Sequence, residues 1–320
     1  MRHPIDGARR RVREWRSPEH AHVLSNRRFV RLAYNVILGR EPDPAGLEHY
    51  VRALRSHELT RGDVAEEMRR GMELRFQRPM ADALTSLHHS RCDWVRSLPR
   101  ARRILDLGGA DQGDPRGALL GLGYPYRFER LVIVDLPHED RHELYAGSPR
   151  LERFESPQGP IEYRYHSMTD FSGFEPGEFD LVFSGQTIEH VREDEADGVL
   201  AGAFEVLEPG GYLCLDTPNG PACRRQQAEF VNPDHKVEYG HAELSAKLRG
   251  AGFEILEARG LNHLGWILEG DWNYAELARN TGVYWEIEEC YVLAYVCRKP
   301  GPGPAASPGG ARADTAPAAS

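Results

Sequence analysis

The stretch RILDLGGA, residues 103–110, decides the fold of this chain. It combines a short apolar run with an acid, Asp106, and two glycines, Gly108 and Gly109. The next apolar run ends in a second acid, Asp135. In open parallel sheets, such strand ends hold a cofactor that carries a nucleoside. The glycines let the backbone approach the ligand, and the second acid accepts hydrogen bonds from the ribose hydroxyls. We therefore expect a cofactor site at the carboxyl edge of a parallel sheet.

The composition is that of a globular protein. The chain has 320 residues, of which 40% are hydrophobic and 28% charged, which is enough for one large α/β domain and a small partner domain. The net charge of −9 argues against nucleic acid as a partner. No apolar stretch approaches the ~20 residues of a membrane span. The five cysteines are scattered and the N-terminus has no secretory pattern, so we expect a cytoplasmic protein. Lysine is rare among the 40 basic residues, which hints at a GC-rich bacterial genome.

The N-terminal part predicts a separate helical module. We expect a basic segment at 1–24, the module at 25–79, the main domain at 80–299 and a disordered tail at 300–320. In the module's first helix, Phe29, Ala33 and Val36 recur at helical spacing. The string LGREPDPAGL, residues 38–47, resembles a helical family of unassigned function that is similar to phycobilisome linker modules. That family often accompanies bacterial cell-surface or glycan-building enzymes. The resemblance implies a module that positions the enzyme or binds a protein partner.

The main domain alternates apolar strands with helices or loops, a pattern typical of a parallel sheet. We expect an α/β fold with a Rossmann-like, mostly parallel seven-stranded sheet and an antiparallel last strand at its edge. The expected strands lie near residues 103–107, 130–135, 161–165, 179–184, 211–216, 253–258 and 290–298.

Two further motifs indicate the kind of reaction that this sheet supports. FDLVFSGQTIEHV, residues 179–191, combines a buried strand, a polar loop and a helix start, and VLEPGGYL, residues 206–213, enters the next strand through a Pro-Gly-Gly turn. Together with the first two strand ends, these motifs resemble a class I S-adenosylmethionine-dependent methyltransferase. The resemblance implies that Asp106 contacts the amino end of S-adenosylmethionine and Asp135 its ribose. It also implies that Gln186 lines the methyl-transfer site. The full set implied for the cofactor is Asp106, Gly108, Gly109, Asp135, Leu136, Met168, Thr169 and Gln186.

Two histidines are the candidates for the catalytic base. His190 follows Glu189 at the carboxyl edge of the fourth strand, and His235 lies in the polar loop after the fifth. Either can instead have a packing or loop role. Glu189 and His190 also resemble part of a metal site in some quinone-biosynthesis O-methyltransferases. Gln186 stands where those enzymes have a further carboxylate, and a neutral amide is a poor ligand for a hard cation. We therefore expect no bound metal.

The sequence thus predicts an enzyme that methylates a small molecule or glycan, most simply a sugar hydroxyl of a surface glycan, glycolipid or glycosylated metabolite. Two alternatives stay open. One is a small-molecule N- or O-methyltransferase of secondary metabolism, and the other is a non-catalytic adaptor that retains the fold. Five aromatic residues before the last strand could stack on sugar rings or form a lid, or could pack a subdomain. They are Trp266, Trp272, Tyr274, Tyr284 and Trp285.

Overall fold

The computed structural model describes residues 25–71, 77–111, 113–137, 140 and 151–301. It divides into two compact units, Met1–Asp82 and Ala83–Ser320. The predicted basic segment lies outside the described residues, as does the predicted disordered tail except for its first two residues. Among the described residues, no helix is both long and apolar enough to cross a membrane.

Within residues 25–71, the first unit has three short helices with defined starts: α1 (Asn26–Ala33), α2 (Pro44–Arg55) and α3 (Arg61–Arg70). Asp43 caps α2 by accepting a hydrogen bond from Gly46 N at 2.8 Å, and Pro44 occupies the first helical position. A capping box between Thr60 and Asp63 starts α3. The helices close on an apolar core that includes Phe29, Val30, Leu47, Val51, Val64 and Met68.

The first helix does not keep a single register. After α1 the chain forms one π-helical turn, Tyr34–Leu38, which ends at Gly39 in a left-handed conformation with φ of 71°. The wider turn rotates the apolar side chains that follow it. Tyr34 and Leu38 are therefore buried, whereas Val36, which the sequence places on the core face, is 49% exposed.

The second unit opens within α4 (Arg78–Arg96) and then alternates strands and helices. Its strands are β1 (Arg103–Leu107), β2 (Arg130–Asp135), β3 (Arg153–Glu155), β4 (Pro160–Tyr165), β5 (Phe179–Gly185), β6 (Leu207–Pro218), β7 (Glu254–His263), β8 (Val283–Tyr284) and β9 (Cys290–Arg298). Its further helices are α5 (Ala118–Gly121), α6 (Glu193–Val206), α7 (Gly220–Gln226), α8 (His241–Gly250) and α9 (Tyr274–Arg279). Short 3-10 turns cover Ile188–His190, Gly265–Leu268 and Ile287–Glu289.

The described strands form one sheet in the order β3-β4-β2-β1-β5-β6-β9-β7-β8. Neighbours from β4 to β6 pair in parallel, while β9 pairs antiparallel with both β6 and β7. The predicted Rossmann-like fold, mostly parallel with an antiparallel last strand, is confirmed. Two details differ. The short strands β3 and β8 extend the seven predicted strands to nine, and β9 lies between β6 and β7 instead of at the edge.

Apolar clusters cover both faces of the sheet, which explains why the central strands read as continuous apolar runs. The central strand β1 contributes Leu105 and Leu107 to one cluster and Ile104 to the other, each at most 1% exposed. The carboxyl ends of β1, β2, β4, β5 and β6 meet at one edge of the sheet, because these strands run parallel. Polar side chains at that edge are therefore brought together, and they form the candidate site.

Candidate active site

A cavity of about 880 Å³ opens at the carboxyl edge of the sheet. Segments that follow β1, β2, β4 and β5 line it, as expected for a ligand site in an open parallel sheet. Of the predicted cofactor residues, six line the cavity: Gly108, Asp135, Leu136, Met168, Thr169 and Gln186. The predicted catalytic residue His190 lines it as well. Asp106, Gly109 and His235 lie behind this surface and are absent from the described lining.

The glycines after β1 are required by close packing. Gly108 has φ of +69°, and a Cβ there would lie 2.5 Å from Thr187 Cγ2. A Cβ on Gly109 would lie 2.2 Å from the carboxyl of Asp106. Both distances are far below van der Waals contact, so any larger residue would push this turn out of place. The turn leaves backbone open to the cavity, which a bulky cofactor needs.

Asp106 is a buried carboxyl with an incomplete set of partners. It is 0% exposed, and Oδ2 accepts one long hydrogen bond of 3.4 Å from Leu119 N. Among the described residues, Oδ1 has no partner. Burial disfavours the charged form and raises the pKa of Asp106 to about 7. An unsatisfied buried oxygen is costly. A donor brought by a ligand, such as the amino group of a bound amino acid, would relieve that cost.

Asp135 is held so that its carboxylate faces the cavity. Oδ2 accepts from Ala110 N at 2.9 Å, and Oδ1 accepts from Leu136 N at 2.7 Å. A carboxylate oxygen can accept more than one hydrogen bond, so the hydroxyls of a bound ribose can donate to Asp135. Met168 and Thr169, after β4, line the same cavity on a short polar turn.

Gln186 is fixed by a buried ion pair that the sequence did not reveal. Its backbone is left-handed, with φ of 60°, and its Nε2 donates to Asp216 Oδ2 at 3.0 Å. Arg91, on α4, also pairs with Asp216, at 2.6 Å from Nε and 3.2 Å from Nη2. Burial alone would lower the pKa of Arg91, but the charge and the hydrogen bonds of Asp216, together with the charges of Glu189 and Cys92, raise it. The side chain of Arg91 lines the cavity, so one guanidinium joins the site.

Three side chains meet next to the cavity: Glu189, His190 and His235, here called the Glu-His-His cluster. One potential ligand atom from each lies within 4.8 Å of the others. The two imidazole rings are 5.0 Å apart, nearly perpendicular. Burial, helped by the neighbouring imidazole, lowers the pKa of His190 and so favours its neutral form. Burial raises the pKa of Glu189 to about 8. A neutral imidazole can accept a proton or bind a cation.

A second carboxylate orients His235. His235 Nδ1 lies 2.7 Å from Glu238 Oε1, and Glu238 is itself held by Val231 N at 3.0 Å and by Arg224. A carboxylate can only accept, so the shared proton is on Nδ1, and in a neutral imidazole the lone pair is then on Nε2. Sequence reasoning missed the ion pair of Arg91 with Asp216, which joins residues 125 positions apart, and the contact of Glu238 with His235 within one loop.

The five aromatic residues before the last strand do not line the cavity in its described part. Trp272 packs against Tyr274 and Tyr291, which supports the subdomain alternative for these rings. Trp266 and Trp285 are 77% and 73% exposed.

Comparison with known proteins places this geometry in a family. Residues 126–215 match a model described as a methyltransferase domain. Residues 16–76 match a domain of unknown function, DUF4214, and the likeness to phycobilisome linkers stays a prediction. A ubiquinone biosynthesis O-methyltransferase of Xanthomonas euvesicatoria is 30% identical over 175 residues, which cover 51% of this chain and 67% of that protein. The corresponding protein of Xanthomonas axonopodis is 28% identical over 196 residues, covering 57% and 76%.

Among solved structures, a methyltransferase from Thermotoga maritima, titled a possible histamine N-methyltransferase, matches with a TM-score of 0.48 and 18% identity. The match covers 70% of this chain and 94% of that one.

The fold and the cavity are those of a class I α/β domain with room for a nucleoside-bearing cofactor at its strand ends. With the sequence relatives, the assignment is specific: the chain belongs to the S-adenosylmethionine-dependent methyltransferases, and S-adenosylmethionine is its cofactor. The residues present fit that cofactor, because the glycine turn leaves room for it and Asp106 Oδ1 lacks a donor.

Proposed function

We propose that this enzyme transfers a methyl group to a hydroxyl oxygen of a sugar, in a surface glycan, a glycolipid or a glycosylated metabolite. The oxygen acceptor is supported by the Glu-His-His cluster beside the cavity, which is the observation that carries the proposal. The relatives named O-methyltransferases agree with it. The choice of a sugar acceptor rests on the glycan-building enzymes that the N-terminal module's family often accompanies. This is an association and not a geometric argument.

S-adenosylmethionine, when bound, supplies a methyl group already activated on a positively charged sulfur. The chain's own residues then have three tasks. The carboxylates of Asp106 and Asp135 hold the amino end and the ribose, while Met168 and Thr169 flank the adenine. Gln186, fixed on Asp216, lines the place where the methyl group moves. Holding oxygen, carbon and sulfur in line is worth several kcal/mol of the barrier, on the order of 7–11 in model systems.

Methyl transfer also requires that the acceptor hydroxyl lose its proton. When the oxygen–carbon bond forms, the carbon–sulfur bond breaks and the sulfur keeps the electron pair, so the hydroxyl must lose its proton. His190 lines the cavity with a pKa lowered by burial, and His235 lies behind it with its ring oriented by Glu238. We propose that the acceptor hydroxyl is deprotonated at this cluster.

The alternative is a small-molecule N- or O-methyltransferase of secondary metabolism. Under this alternative, the relatives named for ubiquinone biosynthesis favour a hydroxyl on a small ring compound as the acceptor. The non-catalytic adaptor loses support, because the chain belongs to an enzyme family and keeps Asp106, Asp135 and an open cavity.

The choice between a sugar and a small ring compound as the acceptor is tested in lysate of a strain that lacks the gene. Purified enzyme and methyl-labelled S-adenosylmethionine are added to this lysate. We expect label in the glycan fraction as a sugar methyl ether when the wild-type enzyme is added, and none with Asp135→Ala. Label only in small ring compounds would replace the sugar with the alternative. Absence of label from every fraction would contradict methyl transfer to both.

A further inference from the structure

The Glu-His-His cluster has the donor set of a metal site. Glu189 and His190 lie on the 3-10 turn after β5, and His235 lies in the loop between α7 and α8. One carboxylate oxygen and one nitrogen of each imidazole lie within 4.8 Å of one another. The backbone ties the two segments together, because Lys236 N donates to Glu189 O at 2.8 Å. The three donors are therefore preassembled by the fold.

Glu189 supplies a buried carboxyl whose hydrogen bonding is incomplete. The residue is 0% exposed. Its Oε2 accepts from Thr217 Oγ1 at 2.9 Å, and Oε1 has no hydrogen-bond partner among the described residues. Buried carboxylates are normally paired with a cation or satisfied by donors. A cation next to Oε1 would satisfy the oxygen and stabilise the ionised form.

Both imidazoles are oriented as metal-binding histidines are. His235 gives its Nδ1 proton to Glu238, and the His190 ring is hydrogen-bonded to the backbone of Asp234. One ring nitrogen in each is thus engaged, so the lone pair of the neutral imidazole is on the other nitrogen. A histidine that ligates a metal nearly always donates its other N–H to a carboxylate or a carbonyl in this way.

We infer that Glu189, His190 and His235 bind a divalent transition ion, with Zn²⁺ preferred over Mg²⁺. Two imidazoles and one carboxylate suit Zn²⁺, Mn²⁺ or Fe²⁺, whereas Mg²⁺ selects oxygen ligands. The amide of Gln186, which the sequence analysis weighed as a poor third ligand, is held by Asp216, and His235 provides the third donor instead. The sequence-based expectation of no metal considered only the donors near Glu189 in the chain.

His190 lines the cavity, so an ion on this cluster would keep its open coordination position towards the acceptor. There it would lower the pKa of a bound hydroxyl, whose proton would pass to solvent water as the oxygen–carbon bond forms. This role rests on the proposed function, but binding of the ion does not.

Metal binding is tested on the full chain without an affinity tag that binds metals. Chelator-stripped protein is titrated with Zn²⁺, Co²⁺ and Mg²⁺ by calorimetry, and the visible absorption of bound Co²⁺ reports nitrogen and oxygen ligands. The variants are His235→Ala and Glu189→Gln, with His89→Ala as the control. His89 is an exposed histidine on α4. Thermal unfolding without metal checks that each variant folds.

We expect one Zn²⁺ per wild-type chain and a distinct Co²⁺ spectrum, both retained in His89→Ala. Each cluster variant should lose more than the ~10–100-fold in affinity that removing a hydrogen-bond partner of a ligand costs. Glu238→Gln should show that intermediate loss. Absence of stoichiometric Zn²⁺ binding, unchanged binding in Glu189→Gln, or tighter Mg²⁺ than Zn²⁺ would each overturn the inference. Methyl transfer by a protein that binds no ion would leave the proposed function standing.

Discussion

The carboxyl of Asp106 should make the free enzyme less stable as pH rises, and Asp106→Asn should remove that effect. The residue is fully buried and Oδ1 lacks a partner in the described structure, so ionisation is disfavoured in the folded state. Its pKa is about 7 when folded, against 3.8 for an ordinary Asp. An acid whose folded pKa is raised contributes stability below its unfolded pKa, and the contribution is lost as pH rises through the folded pKa.

The size of the effect follows from the pKa difference. About three pKa units correspond to roughly 4 kcal/mol lost between pH 4 and 7. About 2 kcal/mol of this loss falls between pH 5.5 and 8, a range in which urea unfolding is practical. Asp106→Asn should therefore gain about 2 kcal/mol relative to wild type on going from pH 5.5 to pH 8. A difference between the two proteins that does not change with pH would refute this reasoning.

Cofactor binding should favour the ionised form of Asp106, whereas folding favours its protonated form. If the amino group of the cofactor pairs with the Asp106 carboxylate, binding at pH 6 must ionise the group and release a proton. Calorimetry with S-adenosylhomocysteine in buffers of different ionisation enthalpy should detect that proton in wild type and not in Asp106→Asn. Equal proton release from both proteins would show that Asp106 serves the fold alone.

Three further variants, together with Gly198→Ala as a control, test the site. Gly109→Ala places a Cβ 2.2 Å from the Asp106 carboxyl. It should lower the free energy of unfolding by about 1–3 kcal/mol and also weaken cofactor binding. Gly198→Ala, in helix α6 with nothing within 4 Å, should be neutral or stabilising, and equal behaviour of the two in thermal unfolding would contradict the packing argument. Asp135→Ala should weaken S-adenosylhomocysteine by about 1–3 kcal/mol in calorimetry, and unchanged affinity would refute the ribose assignment. Asp216→Asn leaves Arg91 without its buried charged partner and should lower the free energy of unfolding in urea by about 3 kcal/mol. A variant as stable as the wild type would contradict this prediction.

Local patterns in the sequence were sufficient to predict the central sheet. Apolar runs such as residues 131–134 are buried on both sides, and their ends carry the acids and glycines that define the cavity edge. The position of β9 was missed, because an apolar strand carries no local signal of which neighbours it will pair with. Val36 was misplaced for a different reason. The π-helical turn after α1 breaks the 3.6-residue period on which the prediction relied.

The candidate site was predictable where a motif is contiguous and not where partners are distant. Asp135 ends β2 and Gln186 directly follows β5, so their place at the cavity could be expected. The pairing of Arg91 with Asp216 joins residues 125 positions apart. The approach of His235 to Glu189 depends on a loop whose backbone is hydrogen-bonded to the turn after β5. Pairing of this kind is decided by tertiary packing, which the spacing of residues in one sequence does not contain.

A crystal structure of the enzyme with S-adenosylhomocysteine would test the central claim most directly. We predict the ligand in the cavity at the carboxyl edge of the sheet, with both ribose hydroxyls in hydrogen-bond distance of Asp135 and the sulfur directed towards Gln186 and His190. A ligand bound away from that edge, or a ribose with no contact to Asp135, would contradict the account.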